Sequence, residues 1–182
     1  MLQWYPVCSF CGSSSLQWSE IYFDCKDCQK RNFVNPATAA GCLLYDSEGN
    51  ILLTQRARDP HKGKYDDPGW FVDSTDVTLE AAVARELQEE LWLVIDTTAL
   101  YYCQSFATLY RYQERDVPVM VALFVYPLPQ DQKALLVCND DVAGYLRVGP
   151  ETFDPTIMAT PEHAEVVMRG FDFVYAILST KN

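Results

Sequence analysis

The stretch that decides the fold is residues 69–95, GWFVDSTDVTLEAAVARELQEELWLVI. If it turns helical after Thr78, a rotation of about 100° per residue places Leu79, Val83 and Leu87 on one apolar stripe. Ala81, Ala82, Ala84, Leu87, Gln88 and the glutamates are good helix formers, Thr78 is suited to an N-cap, and Glu80 lies near the positive end of the helix dipole. On the same wheel Glu90 falls beside Val83, and Glu86 and Glu89 follow round that side. Three carboxylates therefore border the buried stripe. Like charges one turn apart cost about 0.2–0.5 kcal/mol per pair, and desolvation beside apolar surface adds to that. A solvated acidic face is the ordinary reading of such a run. A bound divalent cation is the reading that reverses the sign, because hard cations such as Mg²⁺ take oxygen ligands and often bridge to substrate phosphates. The residues thus predict a metal-assisted phosphate site on this helix.

Upstream, AGCLLY and ILLTQ flank the turn DSEGN, a hairpin signal with strands at Ala39–Tyr45 and Ile51–Gln55. DPHKGKYDDPG reads as a loop, and Trp70–Val72 as a short strand. Downstream, strands are expected near Leu100–Phe106 and Pro118–Tyr126, and a C-terminal helix after Pro161. The pattern gives an α+β fold with a mixed sheet and about two helices.

Further toward the N-terminus stands CSFCGSSSLQWSEIYFDCKDC, in which Cys8 and Cys11 form one CxxC and Cys25 and Cys28 another. Two such knuckles separated by a strand-forming stretch suit a tetrahedral Cys₄ shell for Zn²⁺, closed to water and hence structural. Disulfides or a redox pair are the alternatives; neither knuckle sits in a βαβ pattern. The expected division is a ribbon over 1–35 and a larger domain over 36–182, joined around Asn35 and Pro36. Cys42, Cys103 and Cys138 lie in apolar stretches and read as core thiols.

Composition narrows the function. The 182 residues are 49% hydrophobic with a net charge of −11, which suits a well-cored protein and argues against gripping a polyanion. CKDCQKR is the only basic cluster near the ribbon. Small phosphorylated ligands remain open, since a metal can supply positive charge. The start MLQWYPVCSF lacks the pattern of a secretory leader and no apolar run would span a bilayer. A cytoplasmic protein is expected, with neither nucleic acid nor membrane as partner.

The core RELQEE and its surroundings resemble the signature of the Nudix hydrolases, in which a glycine-started loop leads into a helix carrying Arg-Glu-apolar-x-Glu-Glu. The four-cysteine ribbon, the Asn-Pro before the first sheet strand, LLTQRARDPHKGKYDDPGWFVD and SFATLYRYQERDVPVMVALFV are similar to the branch of that family with an N-terminal zinc ribbon. The resemblance covers residues 8 to about 126. It implies an α/β/α sandwich around a mixed sheet, and hydrolysis of a nucleoside diphosphate linked to another moiety, of the ADP-ribose, FAD or dinucleotide type. It further implies catalytic Mg²⁺ or Mn²⁺ beside structural Zn²⁺, a small nucleotide as partner, and a homodimer as in many members. Carried over residue by residue, Glu86 and Glu90 are metal ligands, Glu89 is a ligand or the general base, a backbone carbonyl at Gly69 or Trp70 completes the shell, and Arg85 orients loop carboxylates.

The chain departs from the family at three points. Trp70 stands where a second glycine is usual, and Trp92 where a glycine usually ends the helix in left-handed conformation. The loop glutamate's place is Asp76 counted from Gly69, but Val77 counted from Arg85. If Val77 holds it, Arg85 needs Asp73 or Asp76 as partner. Trp92 reads as a core or loop aromatic, and either packs inward on a rebuilt helix end or leaves that end strained. Trp70 is placed to stack on a base or to obstruct a diphosphate. Tyr101, Tyr102, Phe106, Tyr110 and Tyr112 are candidate stacking residues that more often serve sheet core or surface, while Arg56 and Arg58 could meet phosphate or pair with carboxylates. His61 and His163 read as surface residues; for His163 the alternative is that Glu162 and Glu165 beside it reach the site. The departures motivate a second reading, a module that binds a nucleotide without hydrolysing it.

Overall fold

A computed structural model describes residues 5–112 and 115–180, leaving the first four residues of the stretch read for a leader, and the side chain of Tyr112, outside the described set. The chain falls into two compact units, 1–36 and 37–182.

The first unit is a three-stranded antiparallel ribbon of β1 (Leu16–Trp18), β2 (Tyr22–Cys25) and β3 (Arg31–Phe33). Cys8, Phe23 and Cys25 are buried together, with Trp18 and Val34 packed on them. That is a very small core, of the kind that needs a metal or cross-link to hold.

The second unit is built on a mixed sheet. Its strands are β4 (Ala37–Tyr45), β5 (Ile51–Arg56), β6 (Tyr65–Asp66), β7 (Gly69–Phe71), β8 (Tyr101–Tyr112), β9 (Arg115–Pro127) and β10 (Val142–Val148). The main path runs β10-β5-β4-β9-β8, with β6 on β5 and β7 on β4. β4 and β9 are parallel and the other pairs antiparallel. Helix α1 (Leu79–Leu91) packs on one face, α3 (Pro161–Thr180) on the other, and the four-residue α2 (Gln130–Lys133) follows β9.

The run AAGCLLY explains the layering. Cys42 and Leu44 join the cluster containing Val83, Leu87 and Leu91 of α1, whereas Leu43 and Tyr45 join the one containing Val167, Phe171 and Val174 of α3. A strand covered on both faces reads as a continuous apolar run, and alternate side chains serve opposite helices. The α/β/α sandwich expected from the sequence is therefore present. β10 is an addition: its burial pattern is mostly exposed, so it carries no apolar run to announce it. Among the described residues no helix is long and apolar enough to cross a membrane.

Candidate functional site

The site begins where the sheet forks. β4 and β5 pair through Leu44 with Leu52 and Tyr45 with Ile51, then part. β6 pairs with β5 through Thr54 and Asp66, and β7 with β4 through Gly41 and Gly69. The segment Asp66–Gly69 thus enters the fork, and Asp66 and Asp67 are buried. Gly69 has φ +119°, and a Cβ there would lie 2.4 Å from the Ala40 carbonyl oxygen. Only glycine fits. Its N–H donates to Glu90 Oε2 at 3.1 Å, fastening the fork to α1.

The helix starts as its sequence predicts: Thr78 is extended, and its hydroxyl accepts the Ala81 N–H at 3.1 Å. Glu86 and Glu90 lie on the side facing the fork; Glu90 is buried, while the Glu89 side chain is half exposed. Arg85 holds the cluster in register. Its Nη1 donates to Glu86 at 2.7 Å and Glu89 at 3.0 Å, and its Nη2 donates to the Phe71 carbonyl at 3.1 Å. Nε and Nη2 also take both oxygens of Asp76, at 3.2 and 2.9 Å. The ambiguity in the loop is resolved: Asp76 partners Arg85, and Val77 is 88% exposed. The arginine keeps its pairing despite the valine.

A cavity of about 180 Å³ opens here, lined by Glu86, Glu89 and Glu90, by Asp66 and Asp67, and by Asp140 and Asp141 before β10. Among the described residues Arg56 is its one lining cation, and that side chain already donates to Asp66 at 3.2 Å and to the Pro60 carbonyl at 2.7 Å. Burial, reinforced by the charges of Glu86, Asp66 and Asp141 and opposed by the Gly69 N–H, pushes the Glu90 carboxyl up to about 8. Burial also raises Glu86, against the pull of Arg85. Burial and the neighbouring Asp66 charge push Asp67 up to about 7. Buried carboxylates in such excess favour either protons or a cation, and an all-oxygen donor set fits Mg²⁺ or Mn²⁺.

Other candidates divide. Trp70 and Tyr110 both line the cavity, in edge contact with ring centroids 4.6 Å apart. Tyr101 and Tyr102 are exposed, and Phe106 packs on the His163 ring. Arg58 does not itself line the cavity but pairs with two carboxylates that do, Asp140 and Asp141, at 3.3 and 2.9 Å. Of the cysteines outside the ribbon only Cys42 is fully buried; Cys103 and Cys138 are intermediate.

One open alternative is decided and one expectation is corrected. Trp92 does not pack inward: it is left-handed at φ 55° and 66% exposed. Its N–H donates to the Gln88 carbonyl and the Leu93 N–H to that of Leu87, both at 3.1 Å, which is the bonding of a glycine-ended helix carried out by tryptophan. His163 is not a surface residue. It is 5% exposed, with Nε2 3.3 Å from Asp66 Oδ1. His61 is exposed as expected. Glu162 and Glu165 line a different hollow, together with Arg169. The sequence reading missed Asp66, Asp67, Asp140 and Asp141, because acidic residues beside proline, as in KYDDPG, or beside asparagine, as in CNDDV, ordinarily mark solvated turns and loops. The two adjacent Asp-Asp pairs were the available signal.

In the ribbon unit, the four sulfurs of Cys8, Cys11, Cys25 and Cys28 lie within 4.8 Å of one another. Cys8 to Cys28 is 3.7 Å and Cys11 to Cys25 is 3.6 Å. A tetrahedron of Zn–S bonds of about 2.3 Å has edges of about 3.8 Å, whereas a disulfide would need about 2.05 Å. The arrangement fits zinc. The Phe10 N–H and Asn32 Nδ2 point at Cys8 Sγ from 3.4 and 3.7 Å, as suits a thiolate.

A NUDIX domain model matches residues 35–169. An ADP-ribose pyrophosphatase of Methanocaldococcus jannaschii is 38% identical over 64 residues, which is 35% of this chain and 37% of that protein. An isopentenyl-diphosphate delta-isomerase of Clavibacter sepedonicus is 29% identical over 131 residues, 68% of this chain and 64% of that protein. This chain therefore spans less than two thirds of either relative. A solved NUDIX hydrolase from Nitrosomonas europaea superposes with a TM-score of 0.62 at 21% identity, covering 91% of this chain and 90% of that one. At that identity the likeness is one of fold.

Proposed function

Because this chain belongs to the Nudix family, we propose that it hydrolyses the pyrophosphate bond of a nucleoside diphosphate linked to another moiety, with ADP-ribose as the first substrate to test. The observation that carries this reading is the fastening of Glu90 to the Gly69 N–H inside a cavity whose carboxylates far outnumber its cations. One relative is named an ADP-ribose pyrophosphatase, which supports this reading, whereas the other is named an isomerase of a diphosphate compound and supports only a diphosphate ligand.

Glu86 and Glu90 would hold Mg²⁺ or Mn²⁺, with Glu89 as a further ligand or the base. Such an ion, when bound, polarises phosphoryl oxygens and lowers the pKa of a water. Arg85 fixes Glu86 and Glu89 relative to Asp76, so the carboxylates do not have to reorganise on loading. The Gly69 N–H orients Glu90 Oε2. Trp70 and Tyr110 supply an aromatic wall that suits a base or ribose face. Zn²⁺ on Cys8, Cys11, Cys25 and Cys28 would be structural, since a closed tetrahedral shell leaves no position for water.

Trp70, in the place of a usual glycine, favours the second reading, a nucleotide-binding module without turnover. Against it stands the complete Arg85 network around Glu86 and Glu89. The deciding experiment incubates the protein with Mg²⁺ or Mn²⁺ and ADP-ribose, FAD, NADH or nucleoside triphosphates, with Glu89→Gln and Glu90→Gln as controls. Release of phosphate monoesters is read by phosphatase coupling. Turnover lowered about 100-fold or more in Glu90→Gln supports the hydrolase. Metal-dependent ADP-ribose binding without turnover in the unaltered protein would sink it and leave the binding module.

A further inference from the structure

We propose that Asp66, Asp67 and His163 form a second cation site, buried in the fork, that takes a transition-metal ion of the zinc class and is separate from the carboxylates of α1. All three side chains are buried, and one donor atom from each lies within 4.8 Å of the others. His163 comes from the first turn of α3 and the aspartates from the β6–β7 link, so the site would join the fork to the helix on the opposite face from α1.

The imidazole is oriented as a ligand. Nδ1 lies 2.8 Å from Thr160 Oγ1, which also accepts the His163 backbone N–H at 3.3 Å. With the Thr160 oxygen as acceptor, the proton of a neutral imidazole sits on Nδ1 and the Nε2 lone pair is left for a metal. That hydrogen bond turns Nε2 toward the aspartates, the arrangement in which metal-bound histidines are held by a partner on the other nitrogen.

Nε2 is 3.3 Å from Asp66 Oδ1 and 3.9 Å from Asp67 Oδ1. An imidazolium reaches the first oxygen with its single N–H and leaves the second beyond hydrogen-bonding distance. Asp67 Oδ1 is indeed a buried oxygen without a hydrogen-bond partner among the described residues, and its side chain is only 5% exposed. Such an orphan is costly to bury, more so when charged. A cation reaches both oxygens at once. Bonds of about 2.0–2.2 Å separate neighbouring donors by roughly 3.0–3.6 Å, a spacing that His163 Nε2 already has from Asp66 Oδ1 at 3.3 Å and exceeds by a few tenths of an ångström from Asp67 Oδ1 at 3.9 Å.

The surroundings are consistent with a built site. Gly41 passes directly over Asp67, where a Cβ would lie 2.1 Å from Oδ2, so the carboxylate occupies space that any side chain would fill. Asp66 Oδ1 is steadied by the Asp67 N–H at 3.0 Å and Oδ2 by Arg56 at 3.2 Å. Both aspartates line the cavity, which provides an entry path. One imidazole with two carboxylates suits Zn²⁺, Mn²⁺ or Fe²⁺ rather than Mg²⁺, which prefers oxygen alone.

The test uses the full chain with excess Mg²⁺, so that the α1 carboxylates are occupied, and Zn²⁺ as probe. Imidazole ¹⁵N shifts are followed in the unaltered protein, which requires no variant to fold. Bound-zinc content after desalting is compared with that of His163→Gln and Asp67→Asn. The expected results are a metal-coordination shift at His163 Nε2 and the loss of about one zinc per chain in each folded variant. Unmoved His163 resonances under saturating Zn²⁺ would overturn the site and leave an imidazolium–carboxylate pair. The readout is at His163, so it is independent of turnover and of Glu89 and Glu90; failure here leaves the hydrolase reading standing, and the reverse also holds.

Discussion

At the scale of single residues, the chain places tryptophan in a conformation that favours glycine. Trp92 closes α1 at φ 55° with a ring that is 66% exposed. A side chain in that region costs about 1–2 kcal/mol, and little burial offsets it here. Two backbone hydrogen bonds hold the residue there, and the neighbouring carbonyls of α1 are also taken: Asn139 N–H donates to Glu90 at 2.8 Å and Val137 N–H to Leu91 at 3.1 Å. The helix end is over-determined, so strain at one residue persists. Trp92→Gly is expected to raise unfolding free energy by about 1 kcal/mol in urea titrations while leaving any turnover unchanged. A variant less stable than the parent would mean that the exposed ring makes contacts worth more than the strain. Gly69 is the converse case, since its neighbours exclude any side chain.

At the scale of elements, the loop before α1 shows how a register shift is absorbed. Counting along the chain leaves Asp76 and Val77 as rivals for one position. The fold chooses Asp76 because the Arg85 fork takes both its oxygens, while the Asp73 N–H donates to Asp76 Oδ2 at 2.7 Å. Arg85 holds Asp76 well below the usual carboxylate range. Val77→Glu is therefore expected to change stability by less than about 0.5 kcal/mol and not to raise activity, because the position faces solvent and its presumed partner is engaged. An increase of tenfold or more in kcat/KM would show that the site lacked a glutamate after all.

At the scale of the whole molecule, the buried acids tie stability to pH and to divalent ions. Glu90 rises from an ordinary 4.5 to about 8 and Asp67 from 3.8 to about 7. A folded-state carboxyl with a raised pKa keeps a proton that the unfolded chain has released. The unfolded state thus binds fewer protons across that window, and stability falls as pH rises from about 4.5 to about 8. His163, raised by Asp66 and Asp67 despite its burial, acts in the same sense, since its favourable charge is lost on the way up. Asp76 is lowered from 3.8, so its stabilisation is complete below this range and does not oppose the trend. Urea midpoints in divalent-free buffer should fall between about pH 5 and pH 8, and saturating Mg²⁺ should flatten the slope by displacing protons from the α1 carboxylates. Midpoints that climb through that window without metal would contradict the assigned burial of Glu90.

The sequence by itself determined what repeats locally. The period of VARELQEEL gave the helix and its carboxylate edge, the cap at Thr78 gave its start, the apolar run AAGCLLY gave one strand of a hairpin, and the cysteine spacing gave the thiol cluster. These follow from backbone geometry over a few residues, which composition and spacing report directly. Only the tertiary structure decided what depends on residues distant along the chain. The fork between β4 and β5 buries Asp66 and Asp67 in a segment that reads as loop, and the seating of α3 brings His163 to them from 96 positions beyond Asp67. The side of α1 on which Trp92 emerges is likewise set by a helix end tied to residues 137–139. In each case the burial of a polar residue, or the strained and exposed placement of Trp92, is imposed by neighbours that the local sequence does not contain.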